Sequence, residues 1–188
     1  VVEKDRELFP GAPAYLLGHS LGGQLSALYA AANPGAASGL ILVAAPSVHW
    51  RAWDFPSSLF VLAGTQAACA LAKVLGYFPG RKIGFGGTEA CGVICDWARQ
   101  ARTGRYEPAG SGLEYEGLLG EMEIPVLAFS FEGDFLSPER AVASLLAKMR
   151  RARITHVNLA GEDLDHFRWV KRPDSIVETI REWLPPPA

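Results

Sequence analysis

Residues 14–23 carry the sequence Ala-Tyr-Leu-Leu-Gly-His-Ser-Leu-Gly-Gly, and this stretch decides the fold. The apolar run at residues 14–18 is typical of a short buried strand. After Ser20 the apolar residues recur every three or four positions, as one face of a helix requires: Leu21, Leu25, Leu28 and Ala32. The Asn-Pro-Gly sequence at residues 33–35 ends that helix. The stretch therefore predicts a strand, a tight turn at Ser20 and a helix.

The same alternation of strands and helices recurs along the chain. Apolar runs predict further strands at residues 39–45, 124–131 and 154–159, and helices are predicted at residues 138–150 and 173–184. Strands separated by helices pair in parallel, because each crossover helix returns the chain to the same end of the sheet. The fold class predicted is α/β, with a parallel sheet and flanking helices.

Residues 47–120 interrupt this alternation. About seventy residues separate two predicted strands, whereas a crossover needs only about a dozen. We interpret the segment as a mostly helical lid inserted between strands of one domain that spans residues 1–188. Its apolar stretch at residues 59–75 resembles a membrane span, but Gln66 and Lys73 interrupt it and it is shorter than a bilayer requires. No membrane span is therefore expected.

Composition excludes several classes of function. The 18 Lys and Arg residues are outnumbered by 20 Asp and Glu residues, so nucleic acid is not an expected partner. The three cysteines, Cys69, Cys91 and Cys95, leave one unpaired, and no secretory signal opens the chain, which favours a reduced, cytoplasmic location. Cys91 and Cys95 have no companion ligands in the sequence, so neither a metal nor a cofactor is expected, and packing is their predicted role.

Ser20 is the candidate nucleophile. The string Gly18-His19-Ser20-Leu21-Gly22 fits the pattern G-x-S-x-G between a strand and a helix. Gly18 and Gly22 are expected to give the chain the room that so sharp a turn needs. At the helix start, the N–H of Leu21 is expected to stabilise a developing oxyanion. The alternative is that these residues only form a tight turn.

The string at residues 18–23 resembles the nucleophile elbow of the α/β-hydrolase superfamily. Within that superfamily, the sequences at residues 76–80 and 166–168 resemble a group of bacterial predicted esterases and serine aminopeptidase-like proteins. The resemblance extends over essentially the whole chain. It implies an α/β-hydrolase fold with a catalytic triad.

A serine needs a base to take its proton, and the base needs an acid to orient it. Among the four histidines, His166 follows the last strand, where the carboxyl ends of parallel strands hold their ligands, so it is the predicted base. His19 is interpreted as a packing or hydrogen-bonding residue. The resemblance selects Asp134 as the acid, with Glu132 as the alternative and a helix-capping role for Asp134 as another. Asp165 is expected to face solvent.

The family pattern also implies strands before the elbow, and one of their loops supplies the second oxyanion donor. The 188 residues contain no such strands, so we interpret the chain as the C-terminal portion of a larger hydrolase or as a truncated gene product. Loss of one donor typically lowers the rate about a hundredfold or more, so the isolated chain is expected to be a poor catalyst.

The function predicted is that of a serine hydrolase cleaving a small-molecule carboxylic ester through an acyl-enzyme. Aromatic and aliphatic residues of the segment favour an apolar acyl group: Trp50, Trp53, Phe55, Leu59, Phe60, Tyr77 and Phe78. A peptidase or thioesterase using the same triad is an alternative. A catalytically impaired remnant that binds a partner is another, and the sequence does not predict the oligomeric state.

Overall fold

The computed structural model describes residues 2–161 and 164–186. The chain divides into two compact units. The first unit comprises Val1–Pro46 and Gly117–Ala188, and the second comprises Ser47–Glu116. The second unit corresponds to most of the inserted segment predicted at residues 47–120, whose role as a lid stays a prediction.

The first unit is built on a parallel sheet. Its described strands are β1 (Tyr15–His19), β2 (Gly39–Val43), β5 (Pro125–Phe131) and β6 (Arg153–Leu159), which lie side by side in that order. The helices of this part of the chain are α1 (Val2–Leu8), α2 (Leu21–Ala32), α6 (Tyr115–Glu121), α7 (Glu139–Leu146) and α8 (Asp174–Trp183). This arrangement confirms the predicted α/β class with a parallel sheet and flanking helices.

Apolar side chains on both faces of the two central strands form the core. Residues of β2 are all buried, as the unbroken apolar sequence of this strand predicts. On one face, Val43 and Phe129 pack in a cluster with Ile176 of α8. Helix α2 contacts β1 and β2, and α7 contacts β5. Burial of these large apolar side chains is the main source of stability for the unit.

Two predicted burial patterns are wrong in detail. Of the predicted apolar face of helix α2, Leu28 is buried but Leu25 is 51% exposed, and the other buried positions are Gly23, Gln24, Ala27, Ala30 and Ala31. Small residues lie against the sheet here because the turn at Ser20 brings the first turn of α2 close to β1. Strand β1 is also only partly buried, with Leu17 51% exposed, because β1 lies at one edge of the described sheet.

The second unit is mostly helical. Helix α3 (Ser57–Leu75) packs against α5 (Cys91–Thr103), and a short hairpin of β3 (Tyr77–Pro79) and β4 (Thr88–Ala90) encloses the one-turn helix α4 (Gly80–Ile83). Phe78, Ala72 and Ile94 form its small buried cluster. Two of the seven aromatic and aliphatic residues assigned to a substrate-binding role, Trp53 and Phe78, are buried.

A disulfide joins Cys69 of α3 to Cys95 of α5, and Cys91 is the free cysteine. The expected packing role of Cys95 is therefore wrong, because its sulfur forms a covalent cross-link. Disulfides persist mainly in oxidising compartments, so this bond runs against the argument from cysteine number for a reduced location. The cytoplasmic location itself stays a prediction.

We expect the denatured, unreduced protein to react with one equivalent of a thiol reagent and the reduced protein with three. Reduction should lower the free energy of unfolding of the second unit by about 3 kcal/mol, because a closed loop of this length restricts the unfolded chain. Thiol titration with and without reductant, followed by urea unfolding, measures both quantities. Three reactive thiols before reduction would show that the cross-link does not form.

Candidate active site

Ser20 lies between the last residue of β1 and the first residue of α2. Its backbone has φ 52° and ψ −123°, in a region that residues with a Cβ rarely occupy. Its N–H donates to the carbonyl of Val43 on β2 at 3.0 Å, and its own carbonyl accepts from the N–H of Gly23 at 3.0 Å. These bonds hold the strained turn in place.

Close backbone packing explains the glycines around Ser20, with one correction. A Cβ on Gly18 would lie 2.5 Å from the Cα of Gly23. A Cβ on Gly23 would lie 2.5 Å from the Cβ of Ala45. A Cβ on Gly22 would meet no described atom within 4 Å. Gly18 and Gly23 are therefore the sterically required residues, whereas the expectation for Gly22 is wrong.

The structure brings Ser20, His166 and Asp134 together. The Nε2 atom of His166 lies 3.0 Å from Oγ of Ser20, and its Nδ1 atom lies 3.0 Å from Oδ2 of Asp134. His166 and Asp134 are buried. All three residues follow the carboxyl ends of parallel strands, namely β1, β5 and β6, which is why residues far apart in sequence meet.

The other oxygen of Asp134 fixes the orientation of the carboxylate. Its Oδ1 atom accepts from the backbone N–H groups of Leu136 at 2.9 Å and Ser137 at 3.0 Å. This is a local Asx-type turn, and an Asp three residues before a Ser-Pro sequence is the signal that could have predicted it. Asp134 thus organises its loop and also contacts His166.

The hydrogen-bond pattern determines how protons are placed. An ionised carboxylate only accepts hydrogen bonds, so Nδ1 of His166 carries the proton that binds Asp134. In the neutral ring, Nε2 is then an acceptor for the hydroxyl of Ser20. This arrangement can take a proton from Ser20 and stabilise the imidazolium that results.

His19 also contacts the base. Its Nε2 lies 2.7 Å from the backbone carbonyl of His166 and donates to it, because a carbonyl only accepts. The two rings lie 4.8 Å apart between centroids. Burial, and then the nearby His166, lower the pKa of His19, which favours its neutral form. Sequence reasoning predicted a packing or hydrogen-bonding residue without identifying this contact.

Comparison with known proteins identifies the fold of the chain. The family model described as serine aminopeptidase, S33 matches residues 1–82. Solved structures with the same fold include an α/β fold family hydrolase from Bacillus anthracis, with 16% identity, TM-score 0.55 and coverage of 97% of this chain and 71% of the other. The chain therefore has the α/β-hydrolase fold.

Two further solved structures show the same fold. The esterase domain of a Rhodothermus marinus protein is 19% identical, with TM-score 0.55 and coverage of 96% of this chain and 63% of the other. A monoacylglycerol lipase from Paleococcus ferrophilus is 16% identical, with TM-score 0.53 and coverage of 95% and 74%. This chain thus spans roughly two thirds to three quarters of their lengths. No curated protein sequence matches it significantly.

The alternative acid and the remaining histidines have other positions and contacts. Glu132 is exposed. His156 on β6 lies 2.9 Å from Oγ of Ser130. His49 belongs to the second unit. Asp165 accepts from the backbone N–H groups of Phe167 and Arg168, which holds the turn after His166 and lowers the pKa of its carboxyl.

Leu21 is the first residue of α2, so its N–H has no acceptor within the helix. That position is compatible with the predicted role of an oxyanion donor, which stays a prediction.

The glycine geometry yields a paired prediction. Gly18→Ala should lower the free energy of unfolding by about 1–3 kcal/mol, because its Cβ would overlap backbone atoms of α2. Gly22→Ala, the matched control in the same turn, should leave stability unchanged or raise it by up to about 1 kcal/mol, since alanine is the better helix former. Urea unfolding of both variants measures this. Equal effects would contradict the close approach of Gly18 and Gly23.

Proposed function

We propose that this chain is a serine hydrolase that cleaves a carboxylic ester through an acyl-enzyme. The observation that carries the proposal is the continuous hydrogen-bonded chain from Ser20 through His166 to Asp134, with both links at 3.0 Å. A satisfied structural network would not require the strained backbone that places Ser20 at the helix start. Such strain is typical of nucleophile turns.

The proposed reaction has two halves. Oγ of Ser20 attacks the acyl carbonyl carbon while Nε2 of His166 takes the hydroxyl proton, and His166 then donates that proton to the departing alcohol. Water next attacks the acyl-enzyme, with His166 again acting as base, and the acid product and free Ser20 are released. Asp134 stabilises the imidazolium in both halves, and the N–H of Leu21 is proposed to donate to the oxyanion.

An ester is preferred to a peptide because two structures of the same fold are an esterase domain and a monoacylglycerol lipase. The serine aminopeptidase family model favours the peptidase alternative, so the choice needs a direct test. The proposal of an apolar acyl group is now limited to Trp50, Phe55 and Tyr77, because Trp53 and Phe78 are buried and Leu59 and Phe60 lie on the exposed side of α3.

A fluorophosphonate probe tests the nucleophile. The protein, expressed with any residues that flank this sequence in its natural chain, should be labelled stoichiometrically, and Ser20→Ala should abolish labelling because no other activated hydroxyl is proposed. Ser26→Ala is the matched control, since Ser26 lies in α2, the helix that directly follows Ser20, and its hydroxyl donates to the carbonyl of Gly22. Unlabelled parent protein would reject the serine hydrolase and favour the binding remnant.

Substitutions of the base and acid should have large effects on turnover. His166→Asn and Asp134→Asn should each lower kcat/KM by about a thousandfold or more, as removal of such groups does in other serine enzymes. Initial rates on p-nitrophenyl esters of increasing chain length, with an amino-acid p-nitroanilide alongside, measure this and compare substrate classes. Faster turnover of the anilide would overturn the ester assignment.

His19 is proposed to position the base. His19→Phe keeps a ring but loses the donor to the carbonyl of His166, and a shift of the base by about 1 Å can lower the rate about a hundredfold. His19→Gln, whose amide can still donate, should restore most of kcat with an unchanged Tm. Measurements of kcat and of thermal unfolding for both variants test this. Equal kcat values for His19→Phe and His19→Gln would contradict a positioning role.

A further inference from the structure

Helix α3 has its large apolar side chains on the outside. Its buried residues are Ser58, Thr65 and Ala72, which recur every seven positions and form one stripe. Its exposed large residues are Leu59, Phe60, Leu71, Val74 and Leu75. Its other exposed positions are Ala, Gly and Lys73. We call these exposed positions the outer face of α3.

This distribution of apolar and polar residues is the reverse of the one found on helices that face water. A helix on a protein surface normally turns its polar residues outward, and an apolar helix is normally buried in a core or in lipid. Phe60 is 69% exposed and Val74 is 82% exposed. Among the described residues, α3 is long and apolar enough to cross a membrane, yet only 17% of its apolar window is buried. The outer face therefore requires an apolar environment from outside the unit.

Charge indicates which environment fits. Residues 55–88 contain no Asp or Glu, although the chain as a whole has a net charge of −2. The charged residues of this stretch are basic and exposed: Lys73 in the last turn of α3, and Arg81 and Lys82 on α4. Exposed Ile83 and Phe85 lie beside them in sequence. Apolar side chains next to basic residues match the boundary between acyl chains and anionic headgroups.

The contacts of α3 exclude a spanning orientation. Its buried side is joined to α5 by the disulfide of Cys69 with Cys95 and by the amide of Gln66, which donates to the carbonyl of Ala98 at 2.8 Å. Helix α5 carries Asp96 and Arg99, which form an ion pair at 2.7 Å. A spanning α3 would carry these charges into the hydrocarbon, where charge is strongly disfavoured.

We infer that the outer face of α3 lies flat on an anionic lipid surface, with Lys73, Arg81 and Lys82 at the headgroups. Binding at this face does not require Ser20. It adds a membrane-surface partner to the protein, bound by shallow insertion of apolar side chains. A triad acting on apolar acyl esters would then work where such esters accumulate.

Vesicle flotation tests the inference. The protein should float with vesicles of phosphatidylglycerol and phosphatidylcholine, and at least about tenfold less with phosphatidylcholine alone or in high salt. The Ser20→Ala variant should bind equally well, so failure of the proposed function and failure of this inference are distinguishable. Absence of flotation with the anionic vesicles would overturn it.

Paired variants locate the surface. Phe60→Ser combined with Val74→Ser should abolish flotation, because both side chains are largely exposed and their replacement leaves the core intact. Val170→Ser, an exposed valine of the first unit, is the control and should bind normally. Arg81→Glu with Lys82→Glu should lower binding at least tenfold, whereas Lys171→Glu with Arg172→Glu, an exposed pair in the first unit, should not.

Two further outcomes would overturn the inference. Sedimentation velocity showing a dimer that the Phe60 and Val74 variant disrupts, without flotation of the parent, would mean that a second copy covers the face. Loss of turnover of a soluble short-chain ester in that variant, with flotation unchanged, would place the face at the substrate site.

Discussion

The conformation of Ser20 is the constraint on which the rest of the first unit depends. A residue with a Cβ is held at positive φ between a strand and a helix, by backbone bonds to Val43 and Gly23. The turn is possible only because Gly18 and Gly23 let the two backbones approach within contact distance. The glycine in the first turn of α2 follows from the same approach, since a larger residue at Gly23 would push the helix off the sheet.

The site is a consequence of sheet topology. Parallel strands in the order β1, β2, β5 and β6 deliver their carboxyl ends to one edge, so the loops that follow three of them meet there. Asp134 is fixed by two backbone N–H groups and His166 is held by its side-chain bond to Asp134 and by His19. These additional contacts hold Asp134 and His166 in the orientation that proton transfer from Ser20 requires.

The second unit is stabilised in a different way from the first. It has a small buried cluster, a cross-link between its two main helices and a long helix with large apolar residues on the outside. A unit with so little core of its own gains stability from a covalent constraint on its unfolded state. Its exposed apolar helix sets it apart from the first unit, where the helices cover an apolar sheet.

Local sequence determined many of the secondary-structure elements of this protein and the turn at Ser20. Unbroken apolar runs such as residues 39–43 predicted buried parallel strands, and the glycine-serine pattern predicted the turn, because both signals depend on neighbours in the chain. The choice of Asp134 over Glu132 came from resemblance, and its contact with His166 across 32 residues is a product of tertiary structure. The buried face of α2, the need for Gly23 rather than Gly22, the contact of His19 and the pairing of Cys69 with Cys95 were decided by packing alone. Each depends on which segments approach one another in space, and no local pattern of residues encodes that distance.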